Sequence, residues 1–179
     1  MTKLIIICGL PGSGKTTLAR ELSKKLKICC IYKDSIKEKL YETLGLSTLE
    51  DSKKIGKPAV EVMLHLAEQQ LANKVNIMIE SPFYFEEDFV LFEKWKGEYS
   101  IDIYSIICFI DETERENRIN IRPRHHAHHD NERNFNVLSK EQSDVYKKIP
   151  GNQIWVETNK PVDELVEKII PKIKKDIYK

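Results

Sequence analysis

The sequence predicts an α/β fold in three layers, a mostly parallel five-stranded sheet with helices on both faces and a short lid. Three observations carry that expectation. Short Ile- and Val-rich runs alternate with longer segments of helical periodicity along the 179 residues. The runs are apolar at both alternating positions, as strands covered on both faces are. A glycine-punctuated turn joins the first run to the first amphipathic segment.

In chain order, strands are expected at residues 3–8, 28–32, 75–79, 101–110 and 153–157. A helix over 16–26 places Leu18, Leu22 and Leu26 at four-residue spacing, and one over 60–75 places Val60, Met63, Leu64, Ala67 and Leu71 on one face. The last helix begins at Pro161 with Asp163 and Glu164 in its first turn, a sound start signal. Pro171 is expected to bend or interrupt it. No repeat or Gly/Ser-rich linker appears, so one domain over residues 1–179 is expected, with a lid at about 112–134.

Composition narrows the class further. Hydrophobic residues make up 41% of the chain, and 29 basic against 28 acidic side chains leave a formal charge of +1. Binding proteins for nucleic acid or anionic membranes usually show a large basic excess. No run approaches the roughly 20 apolar residues of a membrane span, and the run before Gly9 is too short for a secretory leader. The four cysteines, Cys8, Cys29, Cys30 and Cys108, lie in apolar runs without metal-ligand spacing. Buried thiols in a reducing cytoplasm are expected.

The turn Gly9-Leu10-Pro11-Gly12-Ser13-Gly14-Lys15-Thr16 matches the P-loop pattern. A chance match is expected roughly once per hundred chains of this length. Its glycines let backbone N–H groups converge on phosphates, and the following helix aims its positive end at them. Lys15 supplies charge to the outer phosphates, and the Thr16 hydroxyl ligates magnesium. Gly9, Pro11, Gly12, Ser13, Gly14, Lys15, Thr16 and Thr17 are thus the expected binders of a magnesium nucleotide.

Asp34 follows the second strand, at the carboxyl edge of the sheet where ligands bind. It can take a hydroxyl proton or join a metal shell, or it can cap the next helix. Lys37, one turn later, can hold the acceptor. Glu80 ends the third strand and can hold magnesium through water, bind acceptor hydroxyls, or simply be solvated. Arg115, Arg118 and Arg122 share a helical face without matching acids and suit phosphate contacts from a lid. His125, His126, His128 and His129 suit metal, substrate or lid contacts, or an exposed loop. Phe83, Tyr84, Phe85, Phe89 and Phe92 can line a pocket, though core is the favoured reading. His65 is expected to be structural. Asn159-Lys160-Pro161-Val162-Asp163 imitates a guanine-reading motif, but its acid falls one residue late.

Taken together, GLPGSGKTTLAR, Asp34 with a basic residue three later, and the Arg118/Arg122 pair resemble the small P-loop kinases of the polynucleotide 5′-hydroxyl kinase and zeta-toxin type. The resemblance implies a P-loop NTPase fold, ATP with Mg2+, Asp34 as catalytic base and Arg118 with Arg122 as a lid pair. Lys37 would replace an acceptor-holding arginine, and Glu80 an acid after the third strand. The Asp-Gly-aromatic-Pro-Arg motif of nucleoside monophosphate kinases is missing; Glu80-Ser81-Pro82-Phe83-Tyr84 stands there instead. The expected function is transfer of the γ-phosphoryl of ATP to a small-molecule hydroxyl. The alternatives are a polynucleotide 5′-hydroxyl kinase, less favoured by the neutral charge, and a regulatory ATP-binding switch or ATPase.

Overall fold

Alternation along β1 (Lys3–Cys8) organises the molecule: Leu4, Ile6 and Cys8 pack to one side and Ile5 and Ile7 to the other, all fully buried. The computed structural model describes residues 1–121, 125–129 and 144–174. Beside β1 lie β3 (Ile77–Glu80) and β4 (Asp102–Phe109), and the edges are β2 (Cys30–Tyr32) and β5 (Asn152–Glu157). The order is β2-β3-β1-β4-β5, and every neighbouring pair is parallel. The five-stranded parallel sheet is therefore as the sequence predicts.

One face packs on α1 (Lys15–Leu26) and α7 (Val162–Lys174), through Leu18, Leu22, Val166 and Ile169. The other packs on α4 (Gly56–Ala72) and α5 (Glu86–Glu98), through Met63, Ala67, Phe92 and Trp95. Trp95 is 1% exposed, and its indole N–H donates to Glu68 Oε1 at 2.9 Å. The ring thus buries its apolar body while its polar atom stays satisfied. Two short helices, α2 (Lys33–Thr43) and α3 (Leu49–Lys54), lie between β2 and α4, and α6 (Glu112–Ile121) follows β4. A Thr48/Asp51 capping box starts α3.

Several expectations need correction. Helix α7 runs through Pro171 to Lys174, because the buried Ile169 and Ile173 hold its last turn on the sheet. Helix α4 begins four residues earlier than its apolar stripe suggests. Pro58 falls in its first turn, where the missing N–H has no intrahelical partner to lose. Cys8 and Cys108 are buried, but Cys29 is exposed and Cys30 half-buried, so the uniform burial expected of the thiols does not hold. His65 faces solvent, where its Nε2 meets the Gln69 side chain at 3.0 Å.

Candidate active site

The chain leaves β1 for β2 and β3 on one side and reaches β4 and β5 on the other, which opens a crevice at the carboxyl ends of the strands. The P-loop fills its floor. Gly9, Gly12 and Gly14 adopt φ of 140°, 81° and 78°. A Cβ on Gly9 would lie 2.3 Å from the Cys108 carbonyl oxygen, and one on Gly12 would lie 2.8 Å from the Arg115 carbonyl oxygen. The cradle therefore needs glycine both for conformation and for space.

Lys15 is 7% exposed, with Nζ 3.9 Å from Glu80 Oε1 and 3.5 Å from the Leu10 carbonyl oxygen. The Thr16 hydroxyl donates to Glu80 Oε2 at 3.2 Å. Burial pushes the Glu80 carboxyl above its ordinary range; Lys15 pulls it back, the Asp34 charge adds to the rise, and the Thr16 hydrogen bond opposes it. Ser13 Oγ is buried with no hydrogen-bond partner among the described residues. These groups fit a magnesium nucleotide: buried positive charge, a hydroxyl beside a carboxylate, and an orphaned polar atom in the loop.

Above this floor lies a cleft of about 1120 Å³. Its lining includes Pro11, Gly12, Gly14, Lys15, Thr16 and Thr17 of the loop, with Asp34, Glu80 and Arg118. Asp34 is half-buried in the first turn of α2, where Lys33 Nζ donates to its Oδ1 at 3.1 Å; the N-cap position itself belongs to Tyr32. Arg118 Nε donates to Glu114 at 2.9 Å, and its terminal nitrogens donate to Thr158 Oγ1 at 3.2 Å and the Thr158 carbonyl at 2.9 Å. The Thr158 hydroxyl in turn donates to the Ser13 carbonyl at 2.9 Å.

The structure corrects three sequence expectations at the site. Lys37 is 1% exposed and donates to Ser52 Oγ at 2.7 Å, away from the described cleft wall. Arg115 is 3% exposed, bonded to the Pro11 carbonyl at 3.3 Å and to Glu112 at 3.1 Å, so it braces the loop from behind. The arginine face does have its acids, Glu112 and Glu114, one turn earlier. Arg122 lies outside the described residues. Phe83, Phe89 and Phe92 are core, Tyr84 lines the cleft, and Phe85 is exposed. Among the described residues no group of three or more His, Cys, Asp or Glu is arranged to hold a metal ion.

Sequence reasoning missed Glu38, which is in the lining; Thr158 and Lys160, from the TNKPVDEL segment that resembles the kinases' last nucleotide-side loop, line the cleft as well. Glu38 had a signal, its spacing of four from Asp34 on an expected helix. The pairing of Thr158 with Ser13 had none, since the two lie 145 residues apart.

A glycine cradle at a strand-to-helix turn, a buried lysine and an acid at the end of the adjacent strand define a P-loop NTPase fold. The chain belongs to the AAA domain family AAA_33, whose model matches residues 4–146. A cytidylate kinase of Ignicoccus hospitalis is 30% identical over 79 residues, 44% of this chain and 46% of that protein. The chain thus spans under half the length of this curated relative. Among solved structures, a candidate kinase of Chloroflexus aurantiacus superposes with a TM-score of 0.74 at 22% identity, covering 97% of both chains. Shikimate kinase of Aquifex aeolicus gives 0.64 at 21%, covering 99% of both. These likenesses show a fold shared with P-loop kinases.

Proposed function

We propose that this chain is an ATP-dependent kinase transferring the γ-phosphoryl group to a hydroxyl of a small-molecule acceptor. The observation that carries the reading is one cleft that joins Lys15, Thr16 and Glu80 on its floor to the Asp34 carboxylate on α2. A bound magnesium nucleotide would supply the phosphoryl group and an ion to neutralise its oxygens. Thr16 and Glu80 would hold that ion, and Lys15 the outer phosphates. Asp34 takes the proton of the acceptor hydroxyl as the O–P bond forms and the bond to the ADP oxygen breaks. Arg118, with Arg122, would neutralise phosphate oxygens from a lid at about 112–134; α6 and the 125–129 turn support this, since both contribute to the cleft lining.

A nucleotide-phosphate acceptor is the second reading, favoured by the likeness to a cytidylate kinase. It sits less well with Asp34, because a carboxylate suits an alcohol that must lose a proton and repels a phosphate that is already anionic. The polynucleotide kinase and zeta-toxin type stays our finer placement on GLPGSGKTTLAR and Asp34, without Lys37 as acceptor holder. The near-neutral charge favours a small molecule over a nucleic acid. No described helix is long and apolar enough to cross a membrane, and a cytoplasmic site of action remains our reading of the composition. The test is ADP release from Mg-ATP with sugars, nucleosides, cytidine 5′-monophosphate and 5′-hydroxyl oligonucleotides. Lys15-dependent phosphorylation of an alcohol supports the proposal. Phosphorylation of the monophosphate alone, or ATP hydrolysis that no acceptor stimulates, contradicts it.

A further inference from the structure

Two carboxylates stand one helical turn apart in the cleft lining. Asp34 and Glu38 occupy α2 at a spacing of four, so they share a face, with Cβ atoms roughly 5–6 Å apart. Lys33 holds Asp34, and His128 Nε2 donates to Glu38 Oε1 at 2.8 Å. His128 is 4% exposed and belongs to a 3-10 turn, His126–His128, that is fixed from beneath. The buried Lys37 donates to Ser52 Oγ, and Ser52 donates to the Ala127 carbonyl at 2.6 Å. His125 Nδ1 accepts from the Ala127 N–H at 3.2 Å, which leaves its Nε2–H for Glu42 Oε1, also at 3.2 Å. Tyr41 meets His129 Nε2 at 2.8 Å. The histidine turn thus docks on α2 through part-buried and exposed bonds and on α3 through the buried Ser52 bond, and it holds Glu38 through His128.

Tyr84 adds an aromatic side chain to the same lining. Phe83, at φ 45°, sends its own ring into the core while Pro82 and Tyr84 on either side line the cleft.

Resting on the kinase reading above, we propose that the acceptor is a neutral polyhydroxylated molecule: a pentose, a hexose, a cyclitol or the ribose of a nucleoside. Its reacting hydroxyl meets Asp34, a second hydroxyl donates to Glu38, and His128 is a positioning residue for Glu38. Hydroxyl groups are the donors that two adjacent carboxylates accept, and one ring spans both where a monohydric alcohol cannot. A phosphate monoester would bring like charge against both carboxylates. Tyr84 offers an apolar partner to the C–H face of a ring.

Isothermal titration of D-ribose, D-glucose, myo-inositol and cytidine into the protein loaded with Mg-AMPPNP tests this, with 1-propanol and cytidine 5′-monophosphate as comparators. At least one polyol should bind and 1-propanol should not, and Glu38→Gln should weaken the polyol about tenfold with AMPPNP affinity unchanged. His128→Ala should weaken it similarly, while His128→Gln, which keeps an N–H donor, should restore most of the affinity. The inference is overturned if none of the four polyols binds wild type more tightly than Glu38→Gln, or if the monophosphate binds more tightly than cytidine. AMPPNP binding without Glu38-dependent polyol binding removes this inference alone. Failure of AMPPNP itself to bind removes the kinase reading as well.

Discussion

The Thr16 hydroxyl donates to Glu80 Oε2 at 3.2 Å, and this bond ties the first turn of α1 to the end of β3. It puts a hydroxyl and a buried carboxylate side by side at the P-loop, the pair proposed above to hold the ion of a magnesium nucleotide.

Nucleotide binding should depend on pH through Glu80. Burial raises its pKa in the folded protein, so the carboxylate is lost earlier on acidification than an exposed glutamate. Mg-AMPPNP affinity should drop about tenfold for each pH unit below that raised value, and Glu80→Gln should bind more weakly with a flatter profile. The stability effect has the opposite sign. A carboxyl with a raised folded pKa contributes stability that is complete below its unfolded pKa and lost as pH rises through the folded one. Unliganded wild type should therefore lose stability relative to Glu80→Gln on going from pH 5 to pH 8. Parallel profiles for the two proteins would contradict both statements.

Glycine substitutions should separate by site. Gly9→Ala drives a Cβ against the Cys108 carbonyl oxygen and should abolish AMPPNP binding and lower Tm. Gly97→Ala, in α5 with nothing among the described residues within 4 Å of the added methyl, should stabilise the protein by about 0.5–1 kcal/mol. Thermal melts and AMPPNP titrations of the two variants check the contrast, which fails if both lose binding.

Asp88, in the first turn of α5, is raised to about 6 by burial and by the neighbouring Glu87 charge. Its contribution to stability is complete below the ordinary aspartate range and lost as pH passes about 6. At pH 8 Asp88→Asn should therefore be more stable than wild type by about 1 kcal/mol, after allowance for solvent screening and for the favourable helix terminus. At pH 4 the gain should vanish. Urea unfolding at both pH values measures it, and an equal gain at both would refute the assignment.

Thr158 joins Arg118 to the P-loop, because its hydroxyl accepts from one and donates to the Ser13 carbonyl. Thr158→Val keeps the volume but leaves a buried carbonyl and guanidinium short of partners. A loss of about 1–3 kcal/mol in stability follows, with weaker AMPPNP binding. An unchanged melt and an unchanged Kd would show that the bridge carries no weight.

The sheet was legible because its central strands β1, β3 and β4 are Ile-rich runs buried on both faces, a pattern set by local sequence, while the edge strands β2 and β5 are only partly covered. The P-loop was legible because its spacing is fixed by backbone geometry. What escaped was set by tertiary packing. Lys37 reads as an acceptor ligand by spacing alone, yet the docking of α3 and the histidine turn bury its ammonium against Ser52. Pro171 reads as a breaker until Ile173 proves fully buried beyond it. The histidines carry no periodicity, so their seating on Glu38, Tyr41 and Glu42 could not be foreseen.

The central claim is that Asp34 activates an acceptor hydroxyl at the P-loop, and the most direct measurement compares turnover with nucleotide affinity in Asp34→Asn. With an acceptor that wild type phosphorylates, kcat should fall about 10²–10⁴-fold, while the AMPPNP Kd stays within about twofold because Lys15 and the loop are untouched. Retained turnover in Asp34→Asn, or a loss explained wholly by weaker nucleotide binding, would contradict the account.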